Sequence, residues 1–525
     1  MTPPNASNPN AAKSKPERLP PASLKTMTAA RNAAANSDFR TAINLYKDVL
    51  ARHPEHPEVM SALGHTLGII GRVTAGLSML DRALAADPGS AEVRCRLARV
   101  RMLNVAPDLA LEQLEIVTEA APRRLEALVM AAQCCERLNK LEEARAFAER
   151  AIGVRRNDAE ANLTLAQIDA REKKYDDARP RLEKIASKKS SGDVHHRALT
   201  ELGFVLDKMG EYDAAYDAFN KAGREIERTP RVEQMDGSLA YRRLDAYRGR
   251  VTRELVGRFE GASFETPAPA FLVGFPRSGT TMTEQVMAAH PAVLSSDEQS
   301  LVSPMGKALI EGAADRLDIP SRLEKLDEGK VAELRSLYWQ EVEAKLGYSL
   351  ADLDGKVFVD KLPLNLIDLP MLNAVFPDAR VIVALRDPRD VCLSAFMQWF
   401  APNPAMIQLL TLGSATRFYE AVMGLYLNFK PALTVPVLEV RYEDTVSDLE
   451  TQARRIIEHL RLDWRDEILS FHEKAAERAI RTPSYAAVTE KVHTRAVARW
   501  KNYAVHFEPH QDRLQAAIQA FGYGS

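Results

Sequence analysis

The chain has 525 residues, 46% apolar and 27% charged, with a formal net charge of -2. That length exceeds one ordinary core and predicts two or more domains. The near-neutral balance argues against a protein built to coat nucleic acid, and no run approaches the roughly 18 apolar residues of a membrane span. Cys95, Cys134, Cys135 and Cys392 show no metal-ligand spacing, and neighbours such as Cys134 and Cys135 do not suit a disulfide. A reducing, cytoplasmic setting is the expectation.

Residues 1 to about 22 are rich in Pro, Asn, Ala and Ser and lack an apolar core, so they read as disordered rather than as a secretory signal. A fixed period follows. Pro54, Pro88 and Pro122 are spaced by 34 residues, as are the small residues Gly64, Ala98, Ala132 and Ala166. A second small phase holds Ala42, Gly76, Ala110, Ala144 and Ala178. Four residues on come mostly larger side chains: Tyr46, Leu80, Leu114, Ala148 and Leu182. The pattern restarts at Gly203, Ala215, Phe219 and Ala222 after a slip explained by the insert SKKSSGD, Ser187 to Asp193. Small residues let paired helices approach, and larger ones fill the space between units. The pattern resembles the tetratricopeptide repeat, about six units over 23–229, although the first-helix Trp typical of that family is absent and all four Trp lie in the second half. The alternative is an unrelated helical bundle. Such solenoids present a concave groove, so a protein partner is expected there. HPEHPE at 53–58 reads as a turn between repeats, and His195 and His196 as a solvated helix start rather than a metal site.

A helical connector and linker is expected over 230–265, ending in the Gly/Thr/Pro-rich GASFETPAP. AFLVG then reads as a buried strand, FPRSGTT as a loop and MTEQVMAAH as a helix. The loop has the glycine spacing of a phosphate-binding loop, Gly274 and Gly279, but Thr280 stands where a nucleoside-triphosphate loop carries Lys. A strand-to-helix loop presents backbone N–H groups and the helix dipole to an anion. Further on, ARVIVALRDPRD contains a second buried strand. It ends in Arg386, where a magnesium-binding enzyme needs Asp. A guanidinium there suits a second phosphate.

PRSGTT followed by RDPRDVCLS resembles the sulfotransferases that use 3′-phosphoadenosine 5′-phosphosulfate (PAPS), over roughly 266–525. The resemblance implies a P-loop-like α/β domain with a mostly parallel sheet, PAPS as co-substrate, its 3′,5′-bisphosphate (PAP) as product, and no required metal. PRSGTTMTEQVMAAHPAVLSSDEQ most resembles tyrosylprotein sulfotransferases and bacterial relatives fused to tetratricopeptide repeats. By that resemblance Arg277, Ser278, Gly279, Thr280 and Thr281 clasp the 5′-phosphate, and Arg386 and Ser394 the 3′-phosphate. Tyr442, Ser484 and Arg499 close over the nucleotide. Glu298 is the general base, and Lys361 in VFVDKLPLN joins Arg277 at the leaving oxygen. An arginine that the tyrosylprotein enzymes carry beyond the base has no counterpart; Pro304 is near that position.

Each residue also has a structural reading. Lys361 could be a solvated strand-end lysine, Glu298 a helix N-terminal carboxylate, Tyr442 core filler, and Arg277 and Arg386 ion-pair residues. Asp387 reads as a turn or ion-pair residue, Asp297 as structural and His290 as a helix C-terminal residue before Pro291, with a catalytic base the alternative for His290. The expected function is sulfuryl transfer to an acceptor hydroxyl, a protein tyrosine, sugar or small molecule. The competing readings are a repeat scaffold with an inactive nucleotide-binding domain and a P-loop kinase or NTPase.

Overall fold

The computed structural model describes residues 18–104, 106–187, 193–471 and 494–524. By its contacts the chain divides into two compact units, Met1–Glu201 and Leu202–Ser525, the cut falling inside a helix. Residues 21–227 form a helical solenoid of paired helices: α1 (Pro21–Ala35) with α2 (Phe39–Arg52), α3 (Pro57–Ile69) with α4 (Val73–Ala86), α5 (Ala91–Leu103) with α6 (Pro107–Ala120), α7 (Leu125–Arg137) with α8 (Leu141–Val154), α9 (Ala159–Arg171) with α10 (Tyr175–Ala186), and α11 (Val194–Lys208) with α12 (Tyr212–Glu227). The first helix starts at Pro21, inside the stretch expected to be disordered; a proline suits the first helical position because its missing N–H would lack an intrahelical partner anyway.

The repeat phases explain the pairing. A Cβ on Gly64 would lie 2.8 Å from the Gly76 carbonyl oxygen, and one on Gly76 2.7 Å from the Gly64 oxygen, so these backbones touch. Ala98, Ala110, Ala132, Ala144, Ala166 and Ala178 occupy the same phases and are fully buried. Asp38, Ser90 and Asp158 cap helix starts by accepting the N–H three residues on. Among the described residues, the turns inside five of the six pairs hold one left-handed residue each: Ser37, Gly71, Asn139 and Lys173, all in phase, then Gly210 after the slip. Sequence reasoning missed this, because only two of the five are glycine.

One expectation is corrected. His195 and His196 are only 8% and 6% exposed. Three first helices of the pairs are enclosed on most sides: α3, α7 and α9 bury ten, eight and seven of their thirteen residues, whereas α4 buries three of fourteen. α11 is packed the same way, burying Ala198, Leu199, Leu202, Val205 and Leu206 along with the two histidines, so its start is not solvated.

In the second unit α12 packs on the α/β domain. The rings of Tyr216 and Phe219 lie 5.4 and 6.0 Å from that of Phe396. A Cβ on Gly223 would fall 1.8 Å from the Leu410 carbonyl oxygen. The connector forms three short helices, α13 (Pro230–Glu233), α14 (Leu239–Tyr247) and α15 (Arg253–Val256). Arg243 pairs with buried Asp368, and Asn373 reaches the Val256 carbonyl. The Gly/Pro-rich linker is also anchored. Fully buried Arg335 binds Thr266 and Asp378 and lies between the rings of Phe264 and Phe376.

Five parallel strands follow, β1 (Ala270–Gly274), β2 (Val293–Ser295), β3 (Val357–Lys361), β4 (Arg380–Leu385) and β5 (Val437–Arg441), in the order β2-β3-β1-β4-β5. On one face Leu272, Val359, Ile382 and Val440 pack with Met287 and with Ile456 of the helix Leu449–His459. On the other, Phe271 meets Tyr338 and Phe376, and Phe275 meets Phe418 and Tyr419. Both faces being covered explains the continuous apolar runs of the central strands. All four cysteines are buried free thiols. Among the described residues no helix is long and apolar enough to cross a membrane, and no cluster of His, Cys, Asp and Glu fits a metal ion.

Candidate active site

Each of the five strands delivers candidate residues at its carboxyl end, the edge where open α/β sheets bind ligands. β1 runs into the loop Phe275–Gly279, which opens α16 (Thr280–Ala288). Gly279 has φ 99°, and a Cβ there would meet Tyr442 Cδ2 at 3.0 Å, so both conformation and space require glycine. Arg277 is held at φ 74°, a strained value for a side-chain-bearing residue. Its Nε donates to Ser394 Oγ at 3.1 Å. Ser278, Thr280 and Thr281 are buried.

β4 ends directly before Arg386. Its guanidinium donates to the Arg277 carbonyl at 3.4 Å and the Ala496 carbonyl at 2.6 Å, and lies 4.8 Å over the Tyr442 ring. Tyr442 follows β5 and separates the loop glycine from this cation. Burial, and then the Arg386 charge, pull the Arg277 guanidinium down to about 10. Two cations are thus held close against their mutual repulsion. Among the described residues, the buried Ser278 Oγ and Arg386 Nε have no hydrogen-bond partner. Unsatisfied donors beside crowded cations fit an anionic ligand.

β3 ends in Lys361, which is fully buried rather than solvated. Its Nζ lies 2.7 Å from Glu298 Oε1 and 3.0 Å from Glu284 Oε2. Burial disfavours the Lys361 charge, but the two carboxylates outweigh it and raise its pKa. β2 continues past Ser295 to Glu298, whose N–H donates to the Lys361 carbonyl at 3.0 Å. Asp297 and Glu298 have φ 46° and 61°, two successive left-handed residues that turn the Glu298 carboxylate onto the lysine.

The remaining predicted residues are placed as follows. Asp387 caps the helix Pro388–Met397 and pairs with Arg389 at 2.7 Å. His290 accepts the Ala292 N–H on Nδ1 and, through Nε2, donates to the Asp463 carbonyl, leaving no nitrogen to act as a base. Arg499 lies 2.7 Å from Asp207. Ser484 lies outside the described residues.

The model of the sulfotransferase family matches residues 269–466, and that of the tetratricopeptide repeat matches 27–91 and 95–162. The chain carries tetratricopeptide repeats and a sulfotransferase-family domain.

Among relatives, an uncharacterised protein of Aquifex aeolicus is 24% identical over 78% of this chain and 53% of its own length. The nodulation protein NoeE of Sinorhizobium fredii is 25% identical over 38% of this chain and 51% of its own. Protein-tyrosine sulfotransferase 1 of Danio rerio is 25% identical over 39% and 56%. The chain thus spans about half the length of these curated relatives. Among solved structures, the type IV pilus biogenesis factor PilW is 16% identical, covering 41% of this chain and 98% of its own, with a TM-score of 0.36.

Within the sulfotransferase-family domain, sequence reasoning missed Glu284 and Asp390. Glu284 is 1% exposed and also receives the Ser295 hydroxyl. Its one signal was a carboxylate in a helix that carries no other charged residue. Asp390 accepts the N–H groups of Ala498 and Trp500 at 2.7 and 2.8 Å, tying a distant segment to the site. Burial raises its pKa to about 6.

Proposed function

We propose that the protein transfers a sulfuryl group from PAPS to an acceptor hydroxyl. The observation that carries this reading is the convergence, at one sheet edge, of Arg277 and Arg386 with the Lys361–Glu298 pair. In this reading the loop amides, Ser278, Thr280 and Thr281 hold the 5′-phosphate. Arg386 and Ser394 hold the 3′-phosphate, Ser394 also accepting from Arg277. Tyr442, Ser484 and Arg499 close over the nucleotide. Sulfuryl transfer resembles phosphoryl transfer through a loose transition state, so orientation and charge stabilisation dominate. Glu298 accepts the proton of the acceptor hydroxyl. Arg277, the loop amides and Lys361 meet the negative charge that grows on the leaving phosphate oxygen. Glu284 keeps Lys361 charged when Glu298 becomes neutral.

A protein tyrosine is the first acceptor to test: one relative is named a protein-tyrosine sulfotransferase, and repeat solenoids recruit peptides and proteins. The donor site can be tested without knowing the acceptor. Adenosine 3′,5′-bisphosphate at about 100 times its dissociation constant should stabilise the wild type by about 2.7 kcal/mol in thermal denaturation, and Arg386→Ala should abolish the shift. A shift with Mg-ATP alone would overturn the reading.

A further inference from the structure

The segment that meets Arg386 near the C-terminus is held from two sides. Residues 494–503 lie beyond the family-matched region, which ends at residue 466. Ala496 presents its carbonyl to Arg386. Ala498 sits at a left-handed φ of 57°. That turn is fixed because Asp390 accepts both flanking N–H groups, those of Ala498 and Trp500. The Trp500 ring lies under the Arg389 guanidinium at 3.9 Å. These contacts all come from the α/β domain itself.

The second anchor comes from the last helical hairpin. Asp207, near the end of α11, is 7% exposed. One carboxylate oxygen lies 2.7 Å from Arg499, and the other accepts the Tyr503 hydroxyl at 2.7 Å. The Tyr503 ring packs edge-on against Tyr212 of α12, and His506 stacks on Tyr216 at 3.8 Å and reaches Asp213. The hairpin thus grips the segment at Arg499 and Tyr503, and the chain just after it at His506. The Arg499 charge is felt at Arg277 in the loop, where it helps lower that guanidinium.

Resting on the donor site proposed above, we propose that Asp207 is a positioning residue of that site, and that the last hairpin of the solenoid is a working part of donor recognition. A carboxylate that is nearly enclosed and bidentate to Arg499 and Tyr503 fixes both the arginine and the chain around it. That chain includes Ala496, whose carbonyl orients Arg386, the residue read as the 3′-phosphate clasp. A free-standing sulfotransferase domain starting near residue 266 would lack Asp207, and with it this anchor.

The test is calorimetric binding of adenosine 3′,5′-bisphosphate and adenosine 5′-phosphate to the full chain. Asp207→Asn should weaken the bisphosphate about tenfold and the 5′-phosphate about twofold or less, the size expected when the support of a binding group is removed. Tyr503→Phe deletes one hydroxyl and leaves the Arg499 pair, so it should weaken the bisphosphate about threefold. It also decides the matter if Asp207→Asn does not fold. A bisphosphate affinity unchanged in the folded variants, or an equal loss for both nucleotides, would overturn the proposal and leave the donor site standing. A wild type that binds no bisphosphate would overturn both.

Discussion

The two units solve packing in opposite ways. In the solenoid one contact is used repeatedly: the phases that bring Gly64 against Gly76 hold buried alanines in the three following pairs, at 98 and 110, 132 and 144, 166 and 178. In the sulfotransferase-family domain each important contact occurs once. Lys361 has one place between Glu284 and Glu298, and Arg335 one place between Phe264 and Phe376. A repeated contact carries a small share of the stability and touches only neighbouring units. A unique buried contact has no substitute. The comparison teaches where single substitutions should be severe.

The most severe should be at Lys361. Replacing it with Met leaves Glu284, almost wholly enclosed, beside Glu298 with no cation between them. Breaking a buried pair by removing one partner costs about 3–5 kcal/mol. Lys361→Met should therefore lose about that much in denaturant unfolding, and Lys361→Met/Glu284→Gln should recover a large part. If the single variant is as stable as the wild type, the cluster is open to water and the contrast between the units fails.

Glycine contacts sharpen the comparison at a smaller scale. A methyl group on Gly223 meets the Leu410 backbone oxygen at 1.8 Å, which no side-chain rotation relieves. On Gly64 it meets the Gly76 oxygen at 2.8 Å and the Leu80 side chain at 2.9 Å. Gly223→Ala should cost about 3 kcal/mol and Gly64→Ala about 1–2 kcal/mol, both set by overpacking. Chemical denaturation with a probe in each unit measures them. Equal costs would mean that the α12 contact yields as easily as a repeat contact.

The same contrast explains what could be read from sequence. The solenoid was legible because 34-residue spacing states the same packing rule several times over, and each statement checks the others. The donor loop was legible because a strand, two glycines, Arg277 and a helix fall in order along the chain. Glu298 and Lys361 stand 63 residues apart, and only the family resemblance linked them. Glu284, Asp390 and Asp207 had no such link. Their partners lie far away in sequence, and a lone acid in a helix looks like any solvated carboxylate until the fold buries it. The misplaced histidines failed for a related reason: periodicity marks which residues face the partner helix, but not that α11 is enclosed at its start as well.

The smallest effect tests the period where composition hides it. The turn residues Ser37, Gly71, Asn139 and Lys173 share one left-handed conformation and one phase, yet share no side-chain chemistry. For an L-residue with a Cβ that conformation costs about 1–2 kcal/mol, and Gly avoids the cost while losing more freedom on folding. Asn139 offsets its share by accepting from Arg171 at 2.9 Å. Lys173 has a long side chain with no special aptitude for the left-handed region. Lys173→Gly should therefore stabilise the protein by about 0.5 kcal/mol, while Gly71→Lys, the reverse change at the same phase, should destabilise it by about 1 kcal/mol. Opposite signs at two equivalent turns would show that the repeat is enforced by the backbone as well as by its packed faces. Equal signs would mean that each turn is governed by its own side chain, and that the period belongs to the helices alone.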